Sequence, residues 1–234
     1  LLKRALFLVS AENEVEPLVE FAKVFKKRYN VKVDAVYVKD ILKYDVFPVT
    51  VEGIGINLGT NFAYKEFRNI ENKTFEKIKG RLEEEFSKVY TKEGESAEVA
   101  LEELKKYDLM VTVKNEKISP YMKELLRSIY KPLIVLPNRK NFKIENLLLL
   151  DDGAYNANKT LFTFFYMFDE QKVNVLRVNV EADESNEKLS ERFGDNYNLI
   201  LKEGDTFKTI MEESKNYDFV LMGDLRYTVM VERI

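Results

Sequence analysis

Residues able to do chemistry cluster where two apolar runs end. The run LLLL at 147–150 is followed by Asp151, Asp152 and Gly153, and the run FVLM at 219–222 by Gly223 and Asp224. Carboxylates can hold Mg²⁺, and a glycine lets the backbone approach a ligand closely. The matching places in the first half of the chain carry Ser10 and Ala11, then Val113 and Lys114. Each group also has a plainer reading. Asp151-Asp152-Gly153 is an ordinary strand-end turn, and Gly223 can simply relieve crowding at the end of a strand. A further glycine set, Gly53, Gly55 and Gly59, has the spacing G-x-G-x-x-x-G without a strand-to-helix junction around it. Such lone patterns carry little, so a structural arm is the better reading there.

The elements that must position these residues are visible as a stretch present twice. EGESAEVALEELKKYDLMVTV spans 93–113 and EGDTFKTIMEESKNYDFVLMG spans 203–223. Both hold a glycine, then apolar positions at i, i+3, i+4 and i+7, then a Tyr-Asp pair and a short apolar run. This spacing predicts a helix followed by a buried parallel strand. Ser96 and Thr206 are the expected caps, and Asp108 and Asp218 the expected turn residues. Upstream, RALFLVS at 4–10 and NLLLLDD at 146–152 are apolar runs that lead into stripes at Leu18, Phe21, Ala22, Phe25 and Leu161, Phe164, Phe165, Phe168. Strands at 31–38 and 172–180 follow. The sequence therefore reads as two β-α-β-α modules, 1–138 and 144–234, joined by the polar linker at 138–143.

The first module carries an extra segment, 41–70. Its stretch FPVTVEGIGINLGTNFAY alternates apolar and polar residues, which predicts a hairpin or extended arm outside the sheet, with the next helix starting near 71. Ser119-Pro120 reads as a cap and first helical residue, and KPLIVLP as a fifth strand.

Composition removes whole classes of activity. The 234 residues contain neither cysteine nor histidine. A thiol nucleophile, a disulfide, a Ser-His triad and a Cys/His zinc site are all excluded. Any catalysis would rest on carboxylates, lysines, hydroxyls or carboxylate-bound Mg²⁺. With 37 basic and 40 acidic residues the net charge is −3, which provides no global field for nucleic acid or an anionic membrane. No apolar run reaches the length of a membrane helix, and LLKRALFLVS reads as a strand rather than a signal peptide, so a cytoplasmic location is the expectation. Abundant Lys and Glu resemble the composition of hyperthermophile proteins.

The order of elements then resembles a known family. LLLLDDGAYNANKTL is similar to a strand ending in Asp-Gly-Ser ahead of the first helix of universal stress proteins. The two repeated stretches and YMKELLRSIYKPLIVLP resemble that family's later helices and strands. The resemblance implies an α/β fold of two tandem flavodoxin-like, doubly wound parallel sheets. It also implies repeat-to-repeat packing, homodimers, and an adenine-nucleotide site at Asp152, Gly153, Val178 and Gly223, where Asp152 faces the nucleotide and Val178 flanks the adenine. The family's phosphate loop reads G-x2-G-x9-G-S/T. Here Val113 replaces the first glycine of the first copy, only residues 114–118 precede Ser119, and Arg226 stands at the second glycine of the other copy. The expectation is a non-enzymatic binding or regulatory protein that requires no cofactor and binds ATP, ADP or AMP weakly or not at all. Two alternatives are slow hydrolysis of ATP with Mg²⁺ on Asp152 and Asp224, and a scaffold that uses 41–70 to hold a partner.

Overall fold

The structure, a computed structural model, describes residues 1–44, 58–168, 171–223 and 228–234. The chain divides into two compact units. The N-terminal unit spans 3–141, and the C-terminal unit spans 142–234 together with Leu1–Leu2.

In the N-terminal unit, strand β1 (Arg4–Val9) leads through a 3-10 turn into helix α1 (Val15–Tyr29). Then come β2 (Lys32–Asp40), α2 (Leu58–Glu83), β3 (Lys88–Gly94), α3 (Ser96–Glu103), β4 (Leu109–Lys114), α4 (Pro120–Ser128) and β5 (Leu133–Pro137). All pairings are parallel and the strand order is β3-β2-β1-β4-β5. Strand order therefore reverses between β1 and β4. In such a sheet the crevice at the carboxyl ends of these two strands is where ligands bind. Nearly continuous burial along β1 and β4 fits a parallel sheet covered on both faces. Helix α1 closes one face with Leu18, Phe21, Ala22 and Phe25, and Phe7 of β1 meets Phe21, Phe25 and Phe86 ring to ring.

The C-terminal unit repeats this order with β6 (Leu147–Leu150), α5 (Tyr155–Met167), β7 (Val173–Val178), α6 (Glu184–Phe193), β8 (Tyr197–Lys202), α7 (Thr206–Ser214), β9 (Phe219–Leu221) and α8 (Thr228–Arg233). Its sheet is again all parallel, in the order β8-β7-β6-β9. The fold class is thus α/β, two doubly wound parallel sheets. No described helix is long and apolar enough to cross a membrane.

Asp108 and Asp218, expected as local turn residues, act instead through long-range bonds. One carboxylate oxygen of Asp108 accepts the backbone N–H groups of Lys3 and Arg4, both at 2.8 Å. Asp218 accepts those of Glu145 and Asn146 at 3.0 and 2.9 Å. Each aspartate thus ties the start of its own strand to the residues that open the central one. Ser119 caps α4 as expected, its Oγ accepting the Met122 N–H with Pro120 in the first helical position.

Two expectations are corrected. The helix expected from about 71 begins at Leu58, so the later part of the 41–70 segment is helical rather than extended. Tertiary contacts outweigh the local alternation there. Phe67 is buried, Arg68 Nε bonds Glu93 at 2.9 Å, and the Tyr64 hydroxyl donates to the same carboxylate. The expected arm over 45–57 lies outside the described residues. The helix caps also move one residue earlier. Asp205 caps α7 by accepting the Lys208 N–H at 2.8 Å, and Glu95 precedes α3. Ser96 instead lies inside α3, and its Oγ donates to Asp40 at 2.8 Å.

Candidate functional site

Strand pairing gives an internal alignment of the two units. Ala5 pairs with Val33 and Leu109, whereas Leu147 pairs with Val173 and Phe219. Counting along each strand from those pairs, Ser10 takes the place of Asp152, Val38 of Val178 and Val113 of Gly223.

In the C-terminal unit the four expected site residues have contacts within the fold. Asp152 is exposed, and its Oδ1 accepts the Ala154 N–H at 2.9 Å in a tight turn. Gly153 supplies the left-handed residue of that turn, with φ of +80°. Val178 is buried against Leu148 and Leu176. Gly223 lies so close to the first turn of α5 that an added Cβ would stand 2.8 Å from the carbonyl carbon and oxygen of Asn156. Asp152 and Gly153 thus share a turn, Gly223 meets the same helix start, and Val178 belongs to the core. Asp224 and Arg226 lie outside the described residues.

The neighbouring Asp151 forms a buried ion pair. Its Oδ2 accepts from Arg177 Nε at 2.8 Å, with both side chains only 2% exposed. Its Oδ1 accepts the Gly153 N–H at 2.8 Å. A guanidinium nitrogen of Arg177 also reaches the Glu181 carbonyl and Asp183. Burial works against the charge on Arg177, but its hydrogen bond to Asp151 holds the guanidinium above its ordinary value.

The N-terminal unit has a cavity at the corresponding place. It measures about 330 Å³ and lies at the carboxyl ends of β1, β2 and β4, lined by Ser10, Glu14, Asp40, Lys43, Val113 and Tyr121 among others. Ser10 and Glu14 form its polar wall. Glu14 accepts the Ser10 N–H through Oε2 and the Ser10 Oγ–H through Oε1, both at 2.7 Å. Tyr121 on α4 meets Ser10 Oγ at 2.8 Å. With the Ser10 proton given to Glu14, the tyrosine is the donor in that pair. Lys43 sends its ammonium to the Ser10 carbonyl.

Glu14 is 1% exposed, and burial raises its carboxyl above the ordinary range, against the lowering effect of the two Ser10 bonds and of Lys43. Burial also raises the Tyr121 hydroxyl, with the charge of Glu14 adding to it. A buried carboxyl held nearer neutrality, bonded to a hydroxyl at a cavity wall, can receive a proton or a cationic group.

The sequence reading missed this site. Glu14 sits in the first turn before α1, where an acidic residue normally answers the helix dipole from solvent. Its partners Lys43 and Tyr121 come from distant stretches. The spacing of Ser10 and Glu14, one helical turn apart, was the only local signal.

No family model matches the chain, and no curated protein matches it. Among solved structures, a universal stress protein from Archaeoglobus fulgidus DSM 4304 is similar with a TM-score of 0.65 and 12% identity, covering 96% of this chain and 89% of that one. A hypothetical protein of known structure has a TM-score of 0.32 and 18% identity, covering 58% of this chain and 96% of that one. The first likeness shows a universal stress protein-like fold.

Proposed function

We propose that the chain is a universal stress protein-like binding or regulatory protein, non-enzymatic, with weak or absent adenine-nucleotide binding. The observation that carries this reading is the start of α4. A phosphate held there needs free backbone N–H groups at a helix N-terminus. Pro120 has none, and the Met122 N–H is already taken by Ser119 Oγ. Val113 adds a side chain where a close-approaching loop needs a glycine. In the other unit, the bareness of Gly223 is used against Asn156, and the Asp152 carboxylate holds its own turn. Residual affinity belongs at Asp152, Gly153, Val178 and Gly223. Without a cradle for the outer phosphates, AMP, ADP and ATP should bind about equally.

Calorimetric titration with AMP, ADP and Mg-ATP tests this on the wild type and on Asp152→Ala. The expected result is millimolar or weaker affinity for all three, corresponding to no more than about 4 kcal/mol, and any signal lost in the variant. Tight, ATP-selective binding that survives Asp152→Ala would overturn the reading.

A further inference from the structure

The cavity of the N-terminal unit presents two buried carboxylates that, among the described residues, have no ion-pair partner. Glu14 and Asp40 both line it, at 1% and 3% exposure. Three other buried acids have a cation close by: Asp34 has Arg4 at 2.9 Å, Glu103 has Lys106 at 3.0 Å, and Asp151 has Arg177 at 2.8 Å. Among the described residues neither Glu14 nor Asp40 has a lysine or arginine nitrogen within 4.0 Å. Glu14 takes neutral donors, the Ser10 N–H and Oγ–H and the Ala11 backbone, and Asp40 takes the Leu42 N–H at 3.0 Å and Ser96 Oγ at 2.8 Å. Neutral donors compensate a buried carboxylate less fully than a positive charge does.

The chain's own lysine shows where a positive group is received. Lys43, exposed at the mouth, places its ammonium on the Ser10 carbonyl, and its charge acts on Glu14. Val113, Ile118 and Met122 add buried apolar side chains to the lining. A volume of about 330 Å³ falls at the lower end of small-molecule sites.

We propose that this cavity binds a small primary amine, its ammonium received by Glu14, Asp40 and the Ser10 carbonyl, and its apolar body by Val113, Ile118 and Met122. The competing chemistry is a small organic anion attracted by Lys43, Lys114 and Lys117, which also line the cavity. An anion would enter a space walled by two carboxylates, whereas Lys43 and Lys117 are exposed and water screens them. The amine therefore fits better. This inference does not depend on the nucleotide reading.

Calorimetry on the full chain at neutral pH decides it, with phenethylamine, its neutral isostere phenethyl alcohol and the anion hydrocinnamate as probes. The amine alone should bind. Glu14→Gln and Asp40→Asn should each weaken it about tenfold or more, the loss expected when a buried charge pair loses one member. Lys43→Met removes an exposed competitor and should tighten amine binding severalfold. That variant keeps the proposal testable if a carboxylate variant fails to fold. An anion-binding cavity would respond to Lys43→Met in the opposite direction. Binding of the alcohol or hydrocinnamate as tightly as the amine, loss of amine binding in Lys43→Met, or no binding of the amine at millimolar concentration would each overturn the proposal. A separate titration with AMP tests nucleotide binding and leaves this result untouched.

Discussion

Gly223→Ala separates a glycine held for packing from a glycine held for a ligand. In the structure, a Cβ at this position stands 2.8 Å from the Asn156 carbonyl carbon and oxygen and 2.9 Å from its Cβ. Two of those three atoms are backbone, so no side-chain rotation removes the clash. Ordinary contact would need the start of α5 to withdraw by roughly half an ångström or more. That helix buries Ala157, Leu161, Phe164 and Met167, so its withdrawal loosens the core of the unit. Overpacking of this kind costs about 1–3 kcal/mol. With a urea slope of about 1–3 kcal/mol per M, the midpoint of the C-terminal unit should fall by about 1 M. The counterpart, Val113→Gly, gives the reverse control. That valine is 1% exposed, and losing its side chain while gaining glycine's backbone freedom should cost about 2–4 kcal/mol in the N-terminal unit. Urea unfolding followed by far-UV circular dichroism reads both. An unchanged midpoint in Gly223→Ala, together with lost nucleotide affinity, would refute the packing argument and return the glycine to a ligand.

Other perturbations probe the same contacts. Burial raises the Glu14 carboxyl above its ordinary 4.5, so the folded chain holds that proton more tightly than the unfolded chain. The stability that Glu14 contributes is then fully present below pH 4.5 and lost as pH rises through the raised value. The difference between wild type and Glu14→Gln should fall by up to about 1.4 kcal/mol per pH unit over that window, then level off, and a flat difference would sink the assignment. Asp218→Ala leaves the Glu145 and Asn146 N–H groups without their acceptor and should cost about 1–2 kcal/mol in urea unfolding, with Asp218→Asn costing less. Equal losses in both variants would mean that the carboxamide cannot replace the carboxylate there.

What could be read from the sequence depended on how local its cause was. The strand and helix order was legible because each element carries its own period, and because the Tyr-Asp pair at 107–108 recurs at 217–218, with the same bonding role for Asp108 and Asp218. The start of α2 was not legible. Val49, Val51, Ile54, Ile56 and Leu58 alternate, and the contacts that draw residues 64–68 into a helix reach Glu93 on another strand. At α3 serine is a favoured cap type, and only the structure shows Ser96 turned toward Asp40, whereas at α7 Asp205 and Thr206 are adjacent candidates and the stronger capper, Asp205, takes the role. The cavity was the least legible feature. Nothing in ENEVEPL marks Glu14 as buried, and its surroundings come from β1, the turn after β2 and α4.

The internal alignment explains why one fold used twice leaves different chemistry at its two crevices. Arg177 and Asp151 of the C-terminal unit stand where Tyr37 and Val9 stand in the N-terminal unit, by the same strand pairing. In the C-terminal unit the strand ends therefore carry a cation and an anion, and these neutralise each other at 2.8 Å, with Asp183 on the far side of the guanidinium. In the N-terminal unit both partners are absent. Val9 is wholly buried, and Tyr37 turns its hydroxyl to Glu71 at 2.6 Å. The buried carboxylates at that crevice are Glu14 and Asp40, which have hydrogen bonds but, among the described residues, no lysine or arginine nitrogen within ion-pair distance. A crevice whose charges are already paired has little electrostatic gain left to offer a ligand, whereas one with uncompensated carboxylates beside an open cavity retains it. Installing a cation inside the second kind of crevice should therefore supply the countercharge that Arg177 supplies to Asp151.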